Sequence, residues 1–204
     1  MRKTNWRKGE NRQVGKSNHP TMSLYTTYKE EIRPKLQEEL EVKSVMAVPR
    51  IEKVVVDMGV GDAADNREVL DQAVQNLSVI TGQKPQVRGA RVAIAGFNIR
   101  KGSPVGLRVT LRGQKMWNFL EKLIAIVLPR IRDFRGIKTS AFDSKGNYSL
   151  GIEEYSIFPE IDMAKMGKNK GLGITIVTSA KNDEDARKLL DSIGMPFEKE
   201  GSRR

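Results

Sequence analysis

The chain has no cysteine, and its 204 residues include a single histidine, His19. The first absence removes disulfides, thiolate zinc sites and cysteine nucleophiles together. The second leaves a nucleophile–base–acid triad without its base and a metal centre without imidazole ligands, because His19 lies in a stretch too polar to fold. Long hydrophobic runs are also missing. A membrane span needs roughly 18 or more apolar residues, and the nearest approach, residues 116–128, is shorter and carries Glu121 and Lys122. The bases near the N-terminus are not followed by the apolar run of a secretory signal. These absences predict a cytoplasmic protein with no catalytic residue, no metal, no cofactor and no membrane partner.

Acid is what one segment lacks. Residues 84–138 hold thirteen Lys and Arg against two acids, Glu121 and Asp133, so this segment alone nets +11, as much as the whole chain. Residues 24–83 hold seven bases and eleven acids, and residues 139–204 ten and eleven. Clustered charge of this kind is the footprint of a polyanion, most often nucleic acid. Aromatic residues make up only 6% of the chain. Single-strand binders stack bases on exposed rings, so backbone and 2′-hydroxyl contacts to structured RNA are the better fit. Residues 1–23 add six bases and one acid, with little to bury. They read as a disordered basic tail ahead of a single domain at 24–200.

The stretch 90–112 carries the densest pattern. It reads as two strands around a glycine-rich turn, Gly102-Ser103-Pro104-Val105-Gly106. In the second arm Leu107, Val109 and Leu111 alternate with Arg108, Thr110 and Arg112. Strand side chains change face at every residue, so one face is aliphatic and the other presents two guanidinium forks around a hydroxyl. That face suits phosphate oxygens and sugar hydroxyls, or else is simply the solvated side of an amphipathic hairpin.

The rest is read around it. Thr27 and Glu30 resemble a capping box opening a first helix, which Pro34 should kink or shorten. A strand is expected over 50–58. A second helix is expected to be capped by Asp65, with Val69, Ala73, Leu77 and Ile80 inside, and to end at Gly82. Gly113 should open a long helix that Pro129 stops. Strands are expected over 148–158 and 171–179, and a last helix is expected to be capped by Asn182. Hairpin strands with helices that do not strictly alternate predict an α+β, two-layer sandwich. Its sheet should be mainly antiparallel, with helices on one face and the other face free.

Gly59, Gly61 and Ala64 match G-x-G-x-x-A between a strand and a helix, the dinucleotide-binding context. Asp65 would start the helix after the motif, however, so the glycines do not sit where its dipole could hold a pyrophosphate. Glu153 and Glu154, the nearest thing to a carboxylate pair, are sequence neighbours expected to point to opposite faces of a strand.

Residues 44–61 (SVMAVPRIEKVVVDMGVG), 81–85 (TGQKP), 95–113 (AGFNIRKGSPVGLRVTLRG), 128–137 (LPRIRDFRGI) and 142–162 (FDSKGNYSLGIEEYSIFPEID) closely resemble bacterial large-subunit ribosomal protein five, over about residues 25–198. The resemblance implies a non-enzymatic constituent of the large subunit's central protuberance. Its partners would be 5S rRNA, 23S rRNA, the peptidyl-site tRNA and small-subunit ribosomal protein thirteen. The implied 5S rRNA-binding residues are Asp57, Met58, Gly59, Gln83, Lys84, Arg108, Thr110 and Arg112. The implied tRNA contacts are Arg91, Val92, Ala93, Ala95, Gly96 and Phe97. Arg132, Arg135, Gly136, Lys145 and Tyr148 would lie on the bridge to the small subunit. The alternatives are a nucleotide-binding enzyme using the 59–64 loop and a free RNA chaperone.

Two positions depart from the family pattern. Asp57 stands where the resembling proteins usually carry Asn, and Ala90-Arg91-Val92-Ala93 stands where they commonly read A-R-K-S. A carboxylate at 57 accepts hydrogen bonds but repels phosphate, so from sequence Asp57→Asn should tighten 5S rRNA binding. The sign reverses if Asp57 accepts from a guanine's Watson–Crick edge, and a pairing with Lys84 or Arg112 would make it structural.

Overall fold

Alternation in strand β1 (Ile51–Gly59) sets the architecture: Val54, Val56 and Met58 are buried, whereas Lys53, Val55 and Asp57 between them keep access to solvent. The computed structural model describes residues 23–64, 66–161 and 169–198. The other strands are β2 (Gln86–Gly89), β3 (Pro104–Leu111), β4 (Tyr148–Ile152) and β5 (Leu172–Thr178). They form one sheet in the order β2-β3-β1-β5-β4, and every pairing is antiparallel. Val54, Val56 and Met58 share a face with Leu107, Val109 and Leu111 of β3 and Leu172, Ile174 and Ile176 of β5, all buried in one continuous core.

Helices close that face. Helix α1 runs through Leu24–Thr27, a π turn at Tyr28–Ile32, and Arg33–Glu39. Helix α2 is Arg67–Thr81. Helix α3 runs through Gly113–Lys122, a π turn at Leu123–Val127, and Leu128–Arg130, and helix α4 is Asp183–Ser192. The two π turns share a cause. Each lies just before a proline, Pro34 or Pro129, whose ring would strike the carbonyl four residues back in a regular α-helix. Widening the turn to a five-residue step makes room for the ring and lets the helix continue. Pro129 therefore does not stop α3, which ends after Arg130. Leu36, Leu77, Leu120, Leu123 and Leu190 are fully buried. Truncating any of them to Ala should cost about 2–5 kcal/mol.

Several local expectations are corrected. The first helix opens at Leu24 behind Ser23, so Thr27 lies inside it and forms no capping box. Asn66 caps α2, its side chain accepting from the Glu68 amide at 3.0 Å; Asp65 lies outside the described residues. Gly82 does close α2 in the left-handed region, at φ 64°. The central hairpin pairs β3 with β2, so the first arm is 86–89, and residues 90–103 form a loop projecting from it. Pro104 and Gly106 belong to β3 instead of the turn. Strand β4 ends at Ile152, before Glu153 and Glu154. Asn182 holds the cap position of α4 without a side-chain cap bond. Asp183 beside it accepts instead from the amides of Ser144 and Gly146, at 3.1 and 3.0 Å. The expected tail at 1–23 lies outside the described residues, apart from Ser23.

Candidate nucleic-acid interface

On the face opposite the helices the register sets side chains in rows. One row reads Gln86, Arg108, Asp57, Gly173, Gly151 across all five strands. The next reads Thr110, Val55, Thr175, Ser149. At about 4.8 Å between strands, the first row spans roughly 19 Å. The residues of both rows are half-buried or exposed, even on the central strand, where a covering layer would have sealed them. Cations lie on the β2–β3 side and hydroxyls on the β5–β4 side, where the Ser149 and Thr175 oxygens are 3.4 Å apart.

The implied 5S rRNA-binding residues converge on this face unevenly. The Gln83 carboxamide, just past the end of α2, donates to the Thr110 carbonyl at 3.4 Å, which brings two segments 27 residues apart to one spot. Arg112 is exposed where β3 turns into α3, and Lys84 is exposed beside Gln83. Of the alternatives for Asp57, a pairing with a neighbouring basic side chain is the one the geometry bears on. The Asp57 carboxylate pairs with neither Lys84 nor Arg112 but lies 3.9 Å from the Arg108 guanidinium, with the two side chains 46% and 48% exposed. The Met58 side chain is 2% exposed in the core, so only its backbone can reach a ligand.

Not every cation of the basic segment is available. Lys115 donates to the Gly82 carbonyl at 3.0 Å and Lys122 to the Ile80 carbonyl at 2.7 Å, while Lys122 also pairs with Glu160 at 2.6 Å. Both satisfy carbonyls at the negative end of α2. Lys53, Gln86, Arg88, Ser149 and Thr175 were not picked out from sequence. The alternation within 171–179 held the signal, but only the antiparallel register shows that these residues share a face with Thr110.

The loop at 90–103 stands out from the sheet. Its stem is tied by the Ala90 amide to Ser103 O at 2.9 Å and the Gly102 amide to Ala90 O at 2.9 Å. A Cβ on Gly89 would come within 2.9 Å of the Gly102 carbonyl oxygen, so glycine is required there. Arg91, Val92, Ala93, Ala95, Gly96 and Phe97 are all exposed, Val92 at 70% and Phe97 at 75%. The implied bridge residues divide. Arg132, Arg135 and Lys145 are exposed. Gly136 (φ 112°) is packed against the backbone of Glu198, where a Cβ would approach to 2.6 Å. Tyr148 lies in the core: it is 1% exposed, its hydroxyl donates to Lys138 O at 2.9 Å, and burial pushes its pKa up to about 12.

Nothing in the geometry favours the dinucleotide reading. Strand β1 has antiparallel neighbours on both sides, whereas that motif belongs to a parallel βαβ unit. Among the described residues no group of three His, Cys, Asp or Glu could hold a metal ion, and no helix is long and apolar enough to cross a membrane.

Fold and face together define a class: an α+β sheet protein with one face left open by the described helices and carrying cations, hydroxyls and glycines around the carboxylate of Asp57. Residues 44–100 match the family model described as ribosomal protein L5, and residues 104–197 match the model of the same ribosomal family's C-terminus. The large ribosomal subunit protein uL5 of Syntrophomonas wolfei is 55% identical over 174 residues, 85% of this chain and 98% of that protein. Those of Macrococcus caseolyticus and Natranaerobius thermophilus are 54% and 52% identical, covering 83% and 85% of this chain and 94% and 97% of their own. The chain belongs to the ribosomal protein L5 family, whose members are structural components of the ribosome and not enzymes.

Proposed function

We propose that this chain, as a constituent of the large ribosomal subunit, binds 5S rRNA on the open face of its sheet. The observation that carries the reading is the convergence of Gln83, Arg108, Thr110 and Arg112 on a surface that no described helix covers. Guanidinium forks suit phosphate oxygens bidentately. Thr110 and the hydroxyls of Thr175 and Ser149 suit ribose, and Met58 and Gly59 contribute through their backbone. The same particle supplies the other partners. The exposed loop at 91–97 faces the peptidyl-site tRNA, the surface around Arg132, Arg135 and Lys145 faces small-subunit ribosomal protein thirteen, and the remaining basic surface touches 23S rRNA.

The test is titration of the protein against 5S rRNA over a range of salt. Log affinity should fall with log salt by about 0.7–0.9 per phosphate neutralised. Arg108→Gln together with Arg112→Gln should reduce that slope by about two. An affinity flat in salt, or a double variant with the parent's slope, would overturn the reading.

A further inference from the structure

We propose that β4 takes up an added strand along its outer edge: an extended, lysine-bearing segment of another protein resident in the large subunit, paired main chain to main chain. Strand β4 ends the sheet and has β5 on one side only. The Asp143 amide donates to the Asn147 carbonyl at 3.1 Å, and the Asn147 amide to the Asp143 carboxylate at 2.9 Å, so Asn147 turns its peptide groups away from β5. A strand aims its N–H and C=O groups to alternate sides. Ser149 and Gly151 therefore aim theirs outward as well, while Tyr148, Leu150 and Ile152 serve the ladder with β5. Among the described residues, pairing on the outer side stops at the bridge from Phe142 to Tyr148, and Ser149 and Gly151 are exposed.

Sheet edges are normally blunted by charge, proline, a bulge or shortness. The other edge follows that rule: β2 has four residues, includes Arg88 and breaks register between Arg88 and Gly89. Strand β4 does not. Tyr148-Ser149-Leu150-Gly151-Ile152 carries no charge and no proline and keeps register with β5 throughout, and a Cβ on Gly151 would meet nothing within 4 Å. An edge this bare suits strand addition. Its surroundings select the strand. A trough of about 550 Å³ lies between Ser149–Gly151 and the wall at 131–138. Asp133, Glu153 and Glu198 line it against Arg135 and Lys138. None of the five is in an ion pair among the described residues, so acid is in excess here although the chain nets +11. Phosphate would meet those carboxylates, and nucleic acid has no repeating N–H and C=O to complete a ladder. The wall leaves room for one extended segment and not for the sheet of a second copy. A ladder of several bonds is a fixed join, which suits a neighbour in the same subunit.

The experiment is hydrogen exchange at single-amide resolution on the free full-length protein and on intact large subunits. In the free protein the Gly151 amide should exchange near its intrinsic rate while β5 holds the Leu150 amide beside it. In large subunits the Gly151 amide should slow by about a hundredfold or more. A carbodiimide, which joins carboxylates to amines without a spacer, should link Asp133, Glu153 or Glu198 to a lysine of one large-subunit protein. Gly151→Pro removes the outward N–H and should lose that link, whereas Gly151→Ala keeps the N–H and should retain it. If Gly151→Pro does not enter subunits, the parent's exchange and cross-link decide. A Gly151 amide already slow in the free protein, as fast in large subunits as in the free protein, or slowed only in complete ribosomes would overturn the inference. So would protection without a carboxylate–lysine link, or a link that survives Gly151→Pro in assembled subunits. Each of these results leaves the rRNA reading to its own test with the Arg108 and Arg112 variants.

Discussion

Thr110 shows how little a residue proposed to bind RNA need contribute to the fold. Its carbonyl accepts from Gln83 at 3.4 Å, and its half-buried side chain is on the open face. Thr110→Val preserves shape and should leave the melting temperature unchanged. It should weaken 5S rRNA binding by about 1–3 kcal/mol, since a partner is lost in a contact that binding desolvates. Lys181→Ala, off the face, should change affinity far less in the same titration, and equal losses would take Thr110 out of the interface. Gly136 is the opposite case. A φ of 112° and a Cβ that would sit 2.6 Å from the Glu198 amide make Gly136→Ala costly by about 2 kcal/mol or more in urea unfolding. At this scale sequence separated the two poorly. A pattern match gives Gly136 and Tyr148 the same standing as Arg135, whereas the structure packs Gly136 against Glu198, buries Tyr148 and leaves Arg135 exposed.

Among the elements, the turn at 143–147 is held by side chains in place of a core. Asp143 accepts from the Asn147 side chain at 2.8 Å and from the amides of Lys145 and Asn147, both at 2.9 Å. The Asn147 side chain first, and the backbone amides after it, hold the Asp143 carboxyl below its ordinary value of 3.8. A depressed carboxylate pKa stabilises the turn above that ordinary value, and the contribution is lost as pH falls through the folded-state value. Protection of the Lys145 and Asn147 amides, taken relative to their intrinsic exchange rates, should therefore fall below about pH 4. Asp143→Ala should show the lower protection already at neutral pH, and an identical profile for parent and variant would refute the role. Element types were legible because period-2 alternation in β1, β3 and β5 and apolar spacing in α2 and α3 are strong signals. The boundaries that failed did so for local reasons. Proline bends a helix without ending it when a π turn precedes it, and neighbouring capping residues compete, so that Asn66 takes the site that Asp65 was expected to fill. The 90–103 loop was misread because the hairpin's first arm is only four residues long and its side chains are exposed.

The whole molecule is polarised. Acid-rich residues 24–83 supply α1, β1 and α2, whereas the segment 84–138 supplies β2, the projecting loop, β3 and α3. The basic segment was legible from composition, but its direction was not. Lys115 and Lys122 are committed to the end of α2, while Arg108 and Arg112 gain company from Lys53 of a strand outside the segment. Only the antiparallel register decides which cations share a surface. The central claim is that this open face, and not net charge in general, holds the RNA. Its most direct test compares two double variants that each remove two positive charges, Arg108→Gln with Arg112→Gln on the sheet and Lys29→Gln with Lys188→Gln on the helices, in 5S rRNA titrations at one salt concentration. The sheet variant should lose on the order of tenfold or more in affinity, with the helix variant within about twofold of the parent. Equal losses from the two would contradict the claim.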